Sequence, residues 1–146
     1  MRAGEGERLC NDLLNRVTTV ESIAGKIDVR APFVVEEYRT KLSERIESML
    51  GGVEVDRTRL ATEVALFADK ASINEELVRL ASHITEMRKV LGADEAAGRR
   101  LDFIVQEMNR EFNTIGSKAN DAEITSLVIA GKGEIEKIRE QVQNIE

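Results

Sequence analysis

Apolar residues recur at steps of three and four along residues 98–118, whose sequence is GRRLDFIVQEMNREFNTIGSK. This spacing places them on one face of a helix, because an α-helix turns once every 3.6 residues. The positions concerned are Leu101, Ile104, Met108, Phe112 and Ile115. Arginine and glutamate side chains must then project from other faces of the same rod. The segment predicts an amphipathic helix around which the rest of the chain is organised.

Composition extends the helical prediction to the whole chain. The 146 residues include one proline, no tryptophan and five other aromatic residues, and a third of them are charged. Alternating runs of β-branched residues, which indicate strands, are almost absent. We therefore predict an all-α fold of one domain's length, in which a long helical hairpin or arm accompanies a compact carboxy-terminal helical bundle.

Cysteine and hydropathy patterns exclude several classes of protein. Cys10 is alone, so an intrachain disulfide and a multi-cysteine metal site are both excluded. No window approaches membrane-spanning length without charge, and no signal-peptide core follows Met1. No Walker-type loop, dinucleotide fingerprint or nucleophile elbow is present. We expect a soluble cytoplasmic protein without a membrane partner or a small-molecule cofactor.

The first fifty residues contain two apolar stripes, which predict two long amphipathic helices. A break or kink is expected at Pro32, since proline removes a backbone donor and disfavours helix at the preceding residue. Gly51 and Gly52 predict the end of the second helix. Such rods can form a projecting hairpin or one bent arm, or they can be two members of a compact bundle. We predict that residues 1–52 form an arm for self-association, because one-sided stripes need a partner, and that residues 53–146 form the bundle.

Capping and stop residues divide the remainder of the chain, giving five or six helices in total. In chain order they are Asp56 as a cap, a capping box in residues 72–75, Gly92 and Gly116 as stops, and Asn120 with Glu123 as the last cap. Gly131 and Gly133 lie inside the last helix, where they predict a kink or a close helix contact.

One histidine and several glutamates are the candidates for chemistry. His83 follows Glu76 by seven residues, nearly two helical turns, so both lie along one stripe of the same helix. An imidazole with carboxylates suits Mn²⁺ or Mg²⁺ better than a structural zinc ion. By spacing alone, a lone helical histidine is more often a surface or partly buried residue than a ligand.

Glu107 and Glu111 lie one turn apart and admit two interpretations. Carboxylates at this spacing repel each other unless a cation, an arginine or a proton relieves them, and arginines lie close by in the sequence. Alternatively, this face meets the Glu76–His83 face across two antiparallel helices and completes a metal site, as carboxylate sites in helical bundles do. The short loop between the two helices favours an antiparallel pair.

Residues 98–118 closely resemble the carboxy-terminal signature of the YicC/YloC family of bacterial endoribonucleases. The likeness rests on GRRLDF, on QEMNREFNTIGSK and on the terminal REQVQNIE, and it extends upstream through EVALFADKASINEELVRLASHI. Family members are metal-dependent endoribonucleases that assemble into ring-like oligomers, typically hexamers, enclosing RNA. The resemblance therefore implies RNA as a partner, a divalent cation as cofactor and a homo-oligomer. Family members also carry a mixed α/β domain ahead of the helical part, which implies that this sequence is a fragment or carries an added start residue, and that activity needs the longer protein.

The basic residues of the signature segment are the candidates for RNA contact. They are Arg99, Arg100, Arg110 and Lys118, which would contact phosphates and position a strand without selecting its sequence. The net charge of −6 argues against a generic polyanion-binding surface, since phosphate contact needs local lysine and arginine residues. Phe103 and Phe112 fall in the apolar pattern, so we assign both to the core and expect no aromatic platform for base stacking.

Two function classes follow. In the first, Glu76, His83, Glu107 and Glu111 hold a divalent ion that activates water or a ribose hydroxyl, with the last three as the catalytic residues. In the second, the chain is a non-catalytic helical module that oligomerises and clamps RNA. A cluster of the four side chains favours the first class, and their dispersal over solvent-facing surfaces favours the second.

Overall fold

The computed structural model describes residues 3–93 and 98–144, and this part of the chain is all-α. The five helices are α1 (Ala3–Leu50), α2 (Arg57–Ala71), α3 (Asn74–Leu91), α4 (Gly98–Lys118) and α5 (Ala122–Gln143). No strand is present within the described ranges. The predicted fold class is confirmed, including a longest helix in the first fifty residues. Most of the predicted loop before α4, residues 94–97, lies outside the described residues.

Helix α1 is continuous through Pro32, so a break at this position is wrong, while a kink, the other form of the prediction, stays a prediction. Proline in a helix interior removes one backbone hydrogen bond and disturbs the preceding turn. Here Ile27 and Val34 are buried on either side of the proline, and the Pro32 ring itself faces solvent. Packing of both flanks keeps the chain helical where local preference alone would end the helix.

One hydrophobic core joins the first half of α1 to α3, α4 and α5. Helix α4 packs against α3 and α5, and α1 packs against the same two helices from the opposite side. Leu13, Val17, Val20 and Ile27 of α1 are buried in this core. The amino-terminal half of α1 is therefore an ordinary bundle member, contrary to the expectation that the whole first segment projects, because its stripe is wide enough to need two partners.

The second half of α1 pairs with α2 beside the bundle. The rings of Tyr38 and Phe67 stack with their centroids 3.8 Å apart. Between the two helices, Gly51 and Gly52 have φ angles of 58° and 99°, which glycine adopts without the steric cost of a side chain. This helical hairpin is the described element that fits the predicted arm, and its role in self-association stays a prediction.

Some helix ends match the sequence signals. Asp56 caps α2 and accepts hydrogen bonds from the backbone N–H groups of Thr58 and Arg59. Gly92 directly follows the end of α3, as predicted. Both signals act within one turn of the residue: the Asp56 side chain accepts hydrogen bonds, and Gly92 follows the last helical residue.

Other helix ends differ from the predictions. The capping box does not form, because the buried Ile73 starts α3 while the backbone N–H of Ser72 closes α2 on the carbonyl of Asp69. Helix α4 continues two residues past Gly116, to Lys118.

At the start of α5, Asp121 is the cap and accepts from the backbone N–H of Ile124. The predicted cap, Asn120, instead adopts a φ of 47° in the turn between α4 and α5.

Gly131 brings α5 into close contact with α4. A Cβ atom built on Gly131 would lie 2.5 Å from Cε1 of Phe112, whose side chain is fully buried. A Cβ atom built on Gly133, two residues later, would point to another side of the helix and meet no neighbouring side chain of the described residues within 4 Å. The predicted close helix contact is therefore confirmed at one of the two glycines.

Candidate functional site

Charged side chains pair across the interface of α3 and α4, which we call the charged seam. Lys118 donates to Glu76, Arg79 donates to Glu111, and Arg100 donates to Glu86. Residue numbers fall on α4 as they rise on α3, so the two helices are antiparallel, as predicted from the short loop between them.

Glu76 is buried at one end of the charged seam, with 1% of its surface exposed. Its Oε1 atom lies 2.6 Å from Nζ of Lys118 and 3.5 Å from Nη2 of Arg79. Its Oε2 atom is also buried and has no hydrogen-bond partner among the residues that the structure describes. Burial raises the pKa of Glu76, but hydrogen bonds from Lys118 and from its own backbone outweigh burial and leave the pKa below its ordinary value. The carboxylate is therefore charged at neutral pH.

Glu111 occupies the middle of the charged seam and is held by Arg79. The Nε atom of Arg79 lies 3.0 Å from Oε1 and 3.1 Å from Oε2 of Glu111, whose surface is 4% exposed. This hydrogen bond raises the pKa of Arg79, which stays cationic. Of the two interpretations of Glu111, arginine pairing is the one that the described contacts favour.

His83 and Glu107 lie at the same level of the charged seam. His83 is one turn beyond Arg79 on α3, and Glu107 is one turn before Glu111 on α4. The Arg79–Glu111 and Glu86–Arg100 pairs bracket them, so the antiparallel register puts positions 83 and 107 at the same level of the two helices. Both are half-buried, and neither has an ion pair or a side-chain hydrogen bond within residues 3–93 and 98–144.

The four predicted metal ligands do not form one cluster. Across the described part of the chain, no group of three or more histidine, cysteine, aspartate or glutamate side chains is placed to hold a metal ion. Arg79 and Lys118 are the cations that pair with Glu111 and Glu76. The side chains of His83 and Glu107 have no ion-pair or hydrogen-bond partner within residues 3–93 and 98–144. Mg²⁺ commonly takes only one or two protein ligands, together with water and substrate phosphates. The residues therefore fit a divalent ion in part, at the position of the His83–Glu107 pair.

The predicted RNA-binding residues fall into two groups. Arg100 and Lys118 belong to the charged seam, where each already pairs with a glutamate. Arg99 and Arg110 are exposed on the side of α4 that faces away from the bundle.

Phe103 is 60% exposed, so its assignment to the core is wrong, whereas Phe112 is fully buried as predicted. The apolar spacing already contained this information, because position 103 lies on the opposite side of α4 from Met108 and Phe112. The sequence analysis therefore missed an exposed aromatic ring between Arg99 and Arg110.

None of the described helices is both long enough and apolar enough to cross a membrane.

Comparisons with known proteins agree on one family. The family model described as endoribonuclease YicC-like, C-terminal, matches residues 27–146. A protein named probable endoribonuclease YicC from Clostridioides difficile (strain 630) is 48% identical over 147 residues, covering all of this chain and 50% of that protein. Another of the same name, from Haemophilus influenzae (strain ATCC 51907 / DSM 11121 / KW20 / Rd), is 37% identical over 146 residues with the same coverage. The chain spans about half the length of the curated relatives it matches.

Proposed function

The chain belongs to the YicC-like endoribonuclease family, and from that membership we propose that it is the helical half of an enzyme that cleaves single-stranded or structured RNA. The matched region includes α3 and α4 completely. The observation that supports the proposal is the register of the charged seam, in which positions 83 and 107 fall at the same level between two ion pairs. An imidazole beside a carboxylate is a pair that can move protons near neutral pH.

His83 and Glu107 are the groups that exchange protons in this proposal. One takes a proton from the attacking ribose hydroxyl or water, and the other returns a proton to the departing oxygen. Glu111 is buried and bound by Arg79, so it acts as a positioning residue. The Arg79–Glu111 and Glu86–Arg100 pairs hold α3 and α4 in the register that this exchange requires.

A divalent cation, Mn²⁺ or Mg²⁺, is the proposed cofactor. Glu107 would hold it with one carboxylate oxygen, together with water and substrate phosphates, so that its other oxygen and the His83 imidazole stay available for protons. Such an ion, when bound, supplies Lewis-acid stabilisation of charge on the phosphate oxygens. Glu76 and Glu111 would join it only after separating from Lys118 and Arg79. Dialysis against EDTA should abolish cleavage, and Mn²⁺ or Mg²⁺ should restore it; cleavage unaffected by EDTA would contradict metal dependence.

The central test measures cleavage, RNA binding and melting temperature on the same preparations of full-length protein. His83→Ala and Glu107→Gln should abolish single-turnover cleavage while binding and melting temperature stay near those of the wild type. Glu75→Gln is a matched control, because Glu75 is an exposed carboxylate on α3 at the edge of the charged seam. Full activity of His83→Ala would refute the proposed site. Loss of cleavage that only follows loss of folding would support a structural role instead.

The second candidate function is a non-catalytic module that oligomerises and clamps RNA. Apolar side chains are exposed along and beyond the second half of α1: Phe33, Met49 and Val53. We propose that this hairpin associates with other copies, with the hexamer of the family as the expected assembly and the cytoplasm as the expected location. Light scattering should give a mass several times that of one chain, and a monomer at high protein concentration would contradict it.

A further inference from the structure

The outward face of α4 is a polar and basic stripe with one aromatic residue in it. Six residues at steps of four and three form it, and all six are exposed. We call this set the outward face; its members are Arg99, Phe103, Gln106, Arg110, Asn113 and Ser117. None of the six is acidic, although the chain as a whole has a net charge of −6. One carboxylate, Asp102, lies at the edge of the face and accepts a hydrogen bond from Gln106.

The arginines of the outward face differ from those of the charged seam. Arg99 and Arg110 have no ion-pair partner among residues 3–93 and 98–144, whereas Arg79 and Arg100 are each paired with a glutamate. Lys132 of α5 adds a third cation at the margin, where its Nζ atom donates to Oδ1 of Asn113 at 2.5 Å. The positive charge of this face is therefore available to an anionic ligand.

Phe103 lies between the two arginines of the outward face. Its ring is 60% exposed, although burial in an apolar environment stabilises a phenylalanine side chain. At a rise of about 1.5 Å per residue, Arg99 lies about 6 Å from it along the helix axis and Arg110 about 10 Å in the other direction. An exposed aromatic ring between cations is the arrangement with which proteins hold unpaired nucleotides, since the ring stacks on a base while the cations contact phosphates.

We propose that Phe103 stacks on an unpaired base of the RNA substrate while Arg99 and Arg110 contact phosphates on either side of that base. This proposal rests on the proposed function, and it narrows the substrate to RNA that is single-stranded where it crosses α4. Stacking tolerates any base, because every base has a π-face, so the contact favours unpaired over paired RNA without selecting a sequence.

A second copy of this chain is the other possible occupant, and the charge pattern disfavours it. In a two-fold contact the same face meets itself, so Arg99 and Arg110 would approach their own copies with no acidic residue in the face to compensate. A phosphate backbone supplies that negative charge at each nucleotide.

Fluorescence anisotropy with a labelled single-stranded RNA tests the proposal in the full-length protein. Phe103→Ala should weaken binding by about 5- to 100-fold, and Phe103→Trp should retain it. Val29→Ala is the control, because Val29 is an exposed apolar residue, 70% exposed, on the part of α1 before Pro32, which lies on the opposite side of the bundle from α4 and outside the hairpin proposed to self-associate. Neither position touches the core, so circular dichroism should show both variants folded.

Salt dependence and base removal separate stacking from charge. Arg110→Ala should reduce the slope of log affinity against log salt by about 0.7, the value for one phosphate contact to a single strand, while Phe103→Ala should leave the slope unchanged. With an abasic RNA of the same length, the wild type and Phe103→Ala should bind equally.

Three results would overturn the stacking proposal. If Phe103→Ala binds RNA as tightly as the wild type, and the wild type binds and cleaves RNA, the stacking proposal is refuted while the proposed function stands. Dissociation of an oligomer by Phe103→Ala would assign the ring to a contact between copies. A wild-type protein that neither binds nor cleaves RNA would refute the proposed function as well.

Discussion

Replacing Gly131 with alanine probes the contact that fixes α4 against α5. The new methyl carbon would lie 2.5 Å from Cε1, 2.6 Å from Cζ and 3.1 Å from Cδ1 of Phe112. The first two distances are shorter than any ordinary van der Waals contact, and the ring is fully buried, so it has no free space into which to rotate. The helices must separate, or the ring must leave its preferred rotamer.

The expected magnitude follows from two opposing effects. Alanine stabilises a helix interior by about 1 kcal/mol relative to glycine. Overpacking of a dense core costs about 1–3 kcal/mol, and two ring atoms of Phe112 within 2.6 Å of the Cβ place Gly131→Ala at the upper end of that range. We expect a net loss of about 1–2 kcal/mol of unfolding free energy.

Gly133→Ala is the matched control in the same helix. No atom lies within 4 Å of a Cβ built there, so this substitution should stabilise the protein by about 0.5–1 kcal/mol. The difference between the two alanine variants isolates the steric cost, because both gain the same helix propensity. Urea titration measures it directly, and each kcal/mol should also move the melting temperature by about 2–4 °C for a chain of this size.

Two results would decide the argument. If Gly131→Ala is as stable as Gly133→Ala, the close contact does not restrict the core and the reasoning is refuted. If Phe112→Leu in the Gly131→Ala background costs less than Phe112→Leu alone, the ring is the obstacle, because the shorter side chain relieves the overlap.

Other substitutions test the caps, the proline and the charged seam. Lys118→Met leaves the buried Glu76 without its closest hydrogen-bond donor and should lower the unfolding free energy by about 1–3 kcal/mol at neutral pH. Because folding lowers the pKa of Glu76 from 4.5, the stability difference between wild type and variant should be complete above that pH and disappear as the pH falls through the pKa of the folded state. Urea titrations across this pH range measure that difference. Asp56→Ala should cost about 1 kcal/mol by removing the cap of α2, and an unchanged melting temperature would contradict that role. Pro32→Ala should raise the unfolding free energy by about 1–3 kcal/mol by restoring a backbone donor inside α1, and a decrease would mean that the proline shapes the hairpin.

The helical fold could be predicted because its signal is periodic and repeated. The stripe from Leu101 to Ile115 is buried as expected, since every turn of α4 adds an apolar side chain to the same face and that face must be buried. Single-residue signals were less reliable. Pro32 and the capping box at residues 72–75 were both overridden by burial of neighbouring apolar residues, which a local preference of about 1–3 kcal/mol does not outweigh.

The site could be predicted only as a set of candidates. Which carboxylate meets which cation depends on the register of α3 against α4, and nothing local in the sequence specifies that register. Lys118, predicted for RNA, pairs with Glu76, and Glu111, predicted for a metal, pairs with Arg79. Phe103 was missed for a different reason, because its residue type was weighed above its position on the helix.

The rotation of α4 about its own axis links all of these features. An apolar stripe alone tolerates some rotation, since neighbouring apolar groups can exchange places at little cost. The Phe112–Gly131 contact limits rotation on the α5 side, and the Arg79–Glu111 pair limits it on the α3 side. With both in place, one rotation is left, in which Glu107 falls on the charged seam at the level of His83 and Phe103 faces away from the bundle. The core contact and the seam therefore determine together where a substrate could meet this helix.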